Sequence, residues 1–330
     1  MGESATASLP APGPAPTAET QRSWDGKTRN STGIRFLFWL FCMLGPLFAS
    51  VLLYPVAAYY LLVARNNARG SRDYLRRRFP EAGWFRLRFL NYRHFLSFSR
   101  ILLDRAYAFA GMLDRFEFER EGAEAFSEAL KEGKGLVVVS AHLGNWELAA
   151  HGLGTLGRSV TRVPINVVWF RNEGEKARKN LERVSKNQPF AIIDSSDPLQ
   201  ASIDMMNALK RGEIVAIHGD RAMGGGSVAA EFLGAKAEFP SGPYVVAANT
   251  GAPLVYVFAN RDRAKRYSLK VVGPFHFKFA SRREREANLA EWVARYATLL
   301  EERLARYPLQ WHNFYLFWGD KQKPGSVNKS

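Results

Sequence analysis

Gly135-Leu136-Val137-Val138-Val139-Ser140-Ala141-His142-Leu143-Gly144-Asn145-Trp146-Glu147 decides the reading of this chain. The apolar, β-branched run up to Val139 predicts a buried strand. From Trp146 the pattern predicts a helix. A histidine therefore sits where a strand gives way to a helix, with a carboxylate five residues on. The start of a helix leaves backbone N–H groups without partners and favours negative charge.

Spacing constrains how His142 and Glu147 meet. Five residues of ideal helix turn through roughly 500°, so they share no face if both are helical. They meet only if His142 lies in the preceding turn and folds back, a path that Gly144 eases by tolerating positive φ. Glu147 then accepts from one imidazole nitrogen and the other serves as a base.

Outward from this block, strand-like and helix-like segments alternate. Expected strands are Leu136–Ser140, Val163–Phe170, Phe190–Ile193, Ile214–His218, Leu254–Ala259 and Tyr267–Val272. Expected helices are Trp146–Leu156, Glu173–Ser185, Pro198–Lys210, Pro243–Asn249 and Glu284–Arg306. This predicts an α/β fold with a central, mostly parallel sheet flanked by helices.

The N-terminal part reads differently. Residues 1–33 form a tail, rich at first in Ala, Pro and Thr, that is expected to be disordered. Residues 34–66 are expected to be a membrane anchor. From Phe36 to Ala64 there are 29 residues without a charge, more than the roughly 20 that span a bilayer as a helix. Gly45-Pro46 and Pro55 are placed to kink or break it, so a tilted span and a re-entrant helical hairpin both fit. Arg65, Arg69, Arg72 and Arg76-Arg77-Arg78 follow, which puts the downstream domain, 67–330, on the cytoplasmic side of an inner membrane. Between 84 and 105, Phe85, Leu87, Phe89 and Phe95 interleave with Arg86, Arg88, Arg93 and Arg100. That is the pattern of a basic amphipathic helix on an anionic membrane, or of a domain helix with a solvated basic face.

The 46 Lys and Arg against 31 Asp and Glu give a net charge of +15, which points to an anionic partner. Cys42 is the single cysteine, which excludes a disulfide framework and a cysteine zinc site. No nucleic-acid-binding signature is present, so no nucleic-acid partner is expected.

Three further blocks follow the first in order. They are Val168-Trp169-Phe170-Arg171-Asn172, then His218-Gly219-Asp220-Arg221 with Gly224-Gly225-Gly226, then Phe239-Pro240-Ser241-Gly242-Pro243 running on to Thr250-Gly251-Ala252-Pro253-Leu254-Val255. Together the four blocks resemble the lysophospholipid acyltransferase superfamily, and within it the bacterial lipid A late acyltransferases. That branch carries an H-x4-D/E motif, an arginine block, an acidic block near glycines and a proline-containing strand. The resemblance spans roughly residues 35 to 320. Tyr307-Pro308-Leu309-Gln310-Trp311 fits the branch, but the following His312-Asn313-Phe314-Tyr315-Leu316-Phe317-Trp318 departs from it. That ending resembles a sub-branch found with aryl-polyene and other specialised lipid pathways.

The resemblance implies a membrane-bound O-acyltransferase. A fatty acyl group passes from a thioester of acyl carrier protein (ACP) or coenzyme A (CoA) to a hydroxyl of a lipid or glycolipid. His142 is the implied base and Glu147 its orienting partner. Arg171, Asp220, Arg221 and Asn145 are the substrate-binding candidates, and no cofactor or metal is implied beyond the thioester co-substrate. Two rival readings remain. In a metal-dependent membrane hydrolase, Glu147 and His151 would share a helix face with His142 near them and Asp220 as a fourth ligand. The other is a non-catalytic basic membrane protein. The glycines after Asp220 lack the Lys and Ser/Thr of a phosphate loop. His94, His218, His276 and His312 read as structural or surface residues.

Overall fold

The computed structural model describes residues 48–109, 111–146, 148, 163–169, 190–222, 226–281 and 283–319. The expected tail at 1–33, Arg171, Glu147, His151 and the expected helix Glu173–Ser185 lie outside the described residues.

Seven strands form one sheet: β1 Glu117–Glu121, β2 Leu136–Ser140, β3 Ile165–Trp169, β4 Phe190–Asp194, β5 Ile214–His218, β8 Leu254–Arg263 and β9 Arg266–Phe275. Their order is β1-β9-β8-β2-β5-β3-β4. Every neighbouring pair is parallel except β8 and β9. The expected mostly parallel sheet is present. β6 Ser227–Phe232 and β7 Ala235–Pro240 form a separate antiparallel hairpin.

Both faces of β2 are buried, which is why its sequence is continuously apolar rather than alternating. Leu136 and Val138 face helix α4 (Ala123–Lys131), packing with Phe126 and Ala129. Val137 and Val139 face the opposite layer. That layer contains α5 (Pro198–Lys210), α6 (Gly242–Thr250) and α7 (Arg285–Arg306). α5 starts where the sequence places it: Asp197 accepts from the backbone N–H groups of Leu199 and Gln200, and Pro198 opens the helix.

Only part of the expected membrane anchor, from Phe48 on, lies among the described residues. Helix α1 (Phe48–Val63) runs through Pro55 and stops at Ala64, where α2 (Arg65–Arg78) turns away by 97°. No single described helix is long and apolar enough to cross a membrane. The bent pair passes that test by length and composition only, as a broken span or a re-entrant loop would. The stretch from Phe36 to Leu47 lies outside the described residues.

The amphipathic segment is helix α3 (Trp84–Phe109). Its first turns expose Trp84, Phe85 and Phe89, with Arg88 over the Trp84 ring and Arg93 over the Phe89 ring. Further along, α3 is tied to the domain. Buried Asp104 accepts from Tyr267 Oη at 2.7 Å and Arg261 Nε at 2.7 Å.

Candidate active site

The site is set by strand register. β2 and β5 are parallel neighbours in which Ser140 pairs with His218, their last residues. His142 lies two residues beyond Ser140, and Asp220 two residues beyond His218. Equal offsets from a registered pair deliver both side chains to the same place, at the carboxyl edge of the sheet where α/β folds build sites. Gly219 lies between them because its backbone passes close to the core. A Cβ there would come within 2.6 Å of Val139 Cγ1 and 3.0 Å of the Tyr296 ring.

His142 Nδ1 donates to Asp220 Oδ1 at 2.8 Å, and the His142 backbone N–H donates to Asp220 Oδ2 at 2.9 Å. Trp311 Nε1 donates to the same Oδ2 at 2.8 Å. The Asp220 side chain is 1% exposed. Burial alone would raise its pKa. The charge and hydrogen bond of His142, with His218 and Arg221 nearby, outweigh that and hold the carboxyl well below the usual range. Asp220 is therefore ionised at neutral pH, and with Nδ1 as donor the basic lone pair of His142 is on Nε2.

His142 is held by its backbone. Gly144 has φ +68°, and its N–H donates to Gln310 O at 2.9 Å. A Cβ on Gly144 would fall 1.7 Å from Ala259 O, so no other residue fits this path. Asn145 N–H donates to Ala259 O, and His312 N–H to His142 O. The loop is thus clamped between β8 and the segment 310–312. Gln310 docks that segment: its Oε1 accepts from Arg261 N at 2.8 Å, and its Nε2 donates to Arg261 O at 2.6 Å.

The sequence-derived candidates separate in space. Asp220 partners His142 Nδ1, and Glu147, expected from the sequence to accept from one imidazole nitrogen, lies outside the described residues. Asn145 is buried, and its Oδ1 accepts from Leu148 N at 3.3 Å. Arg221 is partly exposed, with its guanidinium 5.4 Å from the Tyr315 ring centroid. Arg171 lies outside the described residues.

Two histidines read as structural or surface residues stand at the site. His218 lies against His142 with ring centroids 4.2 Å apart. Buried His312 follows Trp311 and bonds His142 through its backbone. Trp311 itself gave no signal beyond its place after Tyr307-Pro308-Leu309-Gln310. Its ring packs among Tyr74, Phe232, Phe317 and Trp318, which aims the indole N–H at Asp220.

A ring nitrogen of His142, one of His218 and a carboxylate oxygen of Asp220 lie within 4.8 Å of one another, so these three are the candidate metal ligands among the described residues. Three N–H donors already converge on the Asp220 carboxylate, an arrangement suited to orienting an imidazole.

A family model for the bacterial lipid A biosynthesis acyltransferases matches residues 110–318. This chain belongs to that family. The match contains β1 through Trp318, and so His142, Asp220, His218 and Trp311. No curated protein matches the chain.

Proposed function

We propose that this acyltransferase moves a fatty acyl group from an ACP or CoA thioester to a hydroxyl of a lipid or glycolipid acceptor. The observation that carries the reading is the hydrogen bond from His142 Nδ1 to buried, ionised Asp220. It fixes the tautomer in which Nε2 is basic, and it favours the imidazolium that forms during transfer. His142 Nε2 takes the acceptor hydroxyl proton while the oxygen bonds to the thioester carbon. The carbonyl electrons move onto oxygen. When the tetrahedral species collapses, the C–S bond breaks, and the leaving thiolate takes the proton from Nε2. No acyl-enzyme forms.

The reaction is assigned to a membrane surface, with the domain on the cytoplasmic side of the inner membrane. Exposed Trp84, Phe85 and Phe89 alternate with Arg86, Arg88 and Arg93 on α3, and Tyr59, Leu62 and Val63 are exposed on α1. Such a face places apolar groups at lipid depth and arginines at headgroup level. The same net positive charge suits an acidic carrier protein.

The test uses the full chain in detergent with a fatty acyl thioester and a hydroxyl lipid. His142→Ala should lose roughly 10²- to 10⁴-fold in rate, as for a lost general base. Chelation should leave the parent's rate unchanged. Near-normal transfer by His142→Ala would refute the base. Loss of activity on chelation, restored by a divalent metal, would favour a metal site at His142, His218 and Asp220.

A further inference from the structure

Besides the base, the site holds a second imidazole that the proposed reaction does not yet use. His218 Nδ1 lies 2.8 Å from Ser140 Oγ. No other protein hydrogen bond to this ring occurs among the described residues. Its face is set against His142 at 4.2 Å, with the rings inclined by 37°. On another side Trp146 meets it edge-on at 5.7 Å and 81°.

These contacts favour one tautomer. If Nδ1–H donated to Ser140, the serine hydroxyl hydrogen would have no acceptor among the described residues. If the hydroxyl donates to Nδ1, both groups are satisfied and the ring proton sits on Nε2. The Ser140 backbone is held in place, because its carbonyl accepts from Tyr296 Oη at 2.9 Å and from Gly219 N at 2.8 Å.

The geometry points to His218 as the electrophile of the acyl transfer, donating Nε2–H to the thioester carbonyl oxygen and to the oxyanion it becomes. This rests on the acyl-transfer reading above and adds a residue to it. The two rings are close enough for one tetrahedral centre to touch both. The attacking oxygen lies at His142 Nε2, and the carbonyl oxygen on the same carbon lies at His218 Nε2. No proton leaves His218; the hydrogen bond shortens as charge grows on oxygen and relaxes when the C–S bond breaks.

Protonation chemistry agrees. Burial, then the charge of neighbouring His142, hold the His218 pKa well below the ordinary histidine value. A neutral donor does not oppose charging of the imidazole beside it. A cationic one would.

The test combines kinetics with a direct view of the ring. In the parent protein, ¹⁵N NMR of the imidazoles should show His218 neutral and protonated at Nε2 at pH 7. In Ser140→Ala that preference should weaken, which a merely packed ring would not show. His218→Leu should lower kcat roughly 10²- to 10³-fold, as for loss of one oxyanion donor, with little change in KM for the thioester. His218→Gln, which restores an N–H donor, should recover part of the loss. A neutral Nδ1–H tautomer in the parent would overturn the assignment. So would a folded His218→Leu with kcat within threefold of the parent. If His142→Ala is inactive while His218→Leu is not impaired, only the electrophile fails. If both are active, the acyl-transfer reading fails as well.

Discussion

Asp220→Asn changes one atom and should remove most of the activity, for reasons the hydrogen bonds make explicit. The carboxylate accepts two donors on Oδ2, the His142 backbone N–H at 2.9 Å and Trp311 Nε1–H at 2.8 Å, and His142 Nδ1–H at 2.8 Å on Oδ1. The two donors on Oδ2 have no other protonation state. An amide head group has one accepting atom, and two fixed donors claim it. The NH₂ group then faces His142 Nδ1, which must become an acceptor. The ring proton moves to Nε2, and the lone pair that takes the substrate proton is lost. Turning the amide to restore the base would leave two N–H groups facing NH₂, in place of one mismatch. A buried unsatisfied donor costs on the order of 1–3 kcal/mol, or about thirtyfold in population at 2 kcal/mol. The lost charge on the imidazolium's partner adds a comparable factor, since a charge-assisted bond is roughly twice as strong as a neutral one. Together they predict a fall of about 10³ in kcat/KM. The assay is thiol release from the acyl thioester by the full chain in detergent, with thermal melting to confirm the fold. Transfer within threefold of the parent, in a folded protein, would refute the assignment of Asp220 as the orienting carboxylate.

Three other outcomes follow from the same contacts. His94 is fully buried, accepting from Ser71 Oγ at 2.7 Å and donating from Nε2 to Trp311 O at 2.8 Å, and burial lowers its pKa to about 4. Below pH 6.5 the unfolded chain binds a proton there that the folded one does not. Stability should therefore fall as pH drops from about 6.5 to 4, by up to about 3 kcal/mol from this group at about 1.4 kcal/mol per unit. Urea titrations across that range should show the slope, and His94→Gln should reduce it, with His218 and His312, whose pKa values burial also lowers, supplying the remainder. Gly144→Ala should lower the melting temperature by several degrees and abolish transfer. Positive φ alone costs about 1–2 kcal/mol, and the Ala259 carbonyl must also move; a normal melt with normal rate would refute the tight passage. Replacing Trp84, Phe85 and Phe89 together with Ser should weaken sedimentation with anionic vesicles at least tenfold, since each buried aromatic contributes about 1.5–3 kcal/mol. Unchanged sedimentation would remove α3 from the membrane face.

Much of the central sheet was legible in the sequence because parallel strands buried on both faces must be apolar throughout. Leu136–Ser140 and Ile214–His218 needed nothing else. Short, exposed or unusual elements carry no such mark. β1, Glu117-Phe118-Glu119-Arg120-Glu121, is mostly charged and gains its place by pairing with β9. The β6–β7 hairpin turns through Leu233 and Gly234, both at positive φ, where a leucine gives no turn signal. The Leu233 N–H donates to Glu301 of α7, a tertiary contact that holds this conformation. The uncharged run from Phe36 to Ala64 shows the converse. Twenty-nine uncharged residues satisfy a length rule, but where a helix bends depends on what packs against it, and the bend comes at Ala64 rather than Pro55.

At the site, His142 was legible because the strand-to-helix junction lies within a few residues of it. Asp220 and Arg221 were legible as neighbours in one block. The sequence gives no measure of distance between blocks 78 residues apart, so it paired His142 with the nearest carboxylate, Glu147. Glu147 lies outside the described residues, but register adds a second carboxylate: Ser140 opposite His218 carries His142 to Asp220 and sets a second imidazole beside the first. Trp311, at the far end of the chain, completes the cluster because Gln310 mimics a backbone partner for Arg261 and fixes where the last segment lies. Local sequence determined which groups are capable of proton transfer; strand pairing and the docking of the C-terminal segment decided which of them meet.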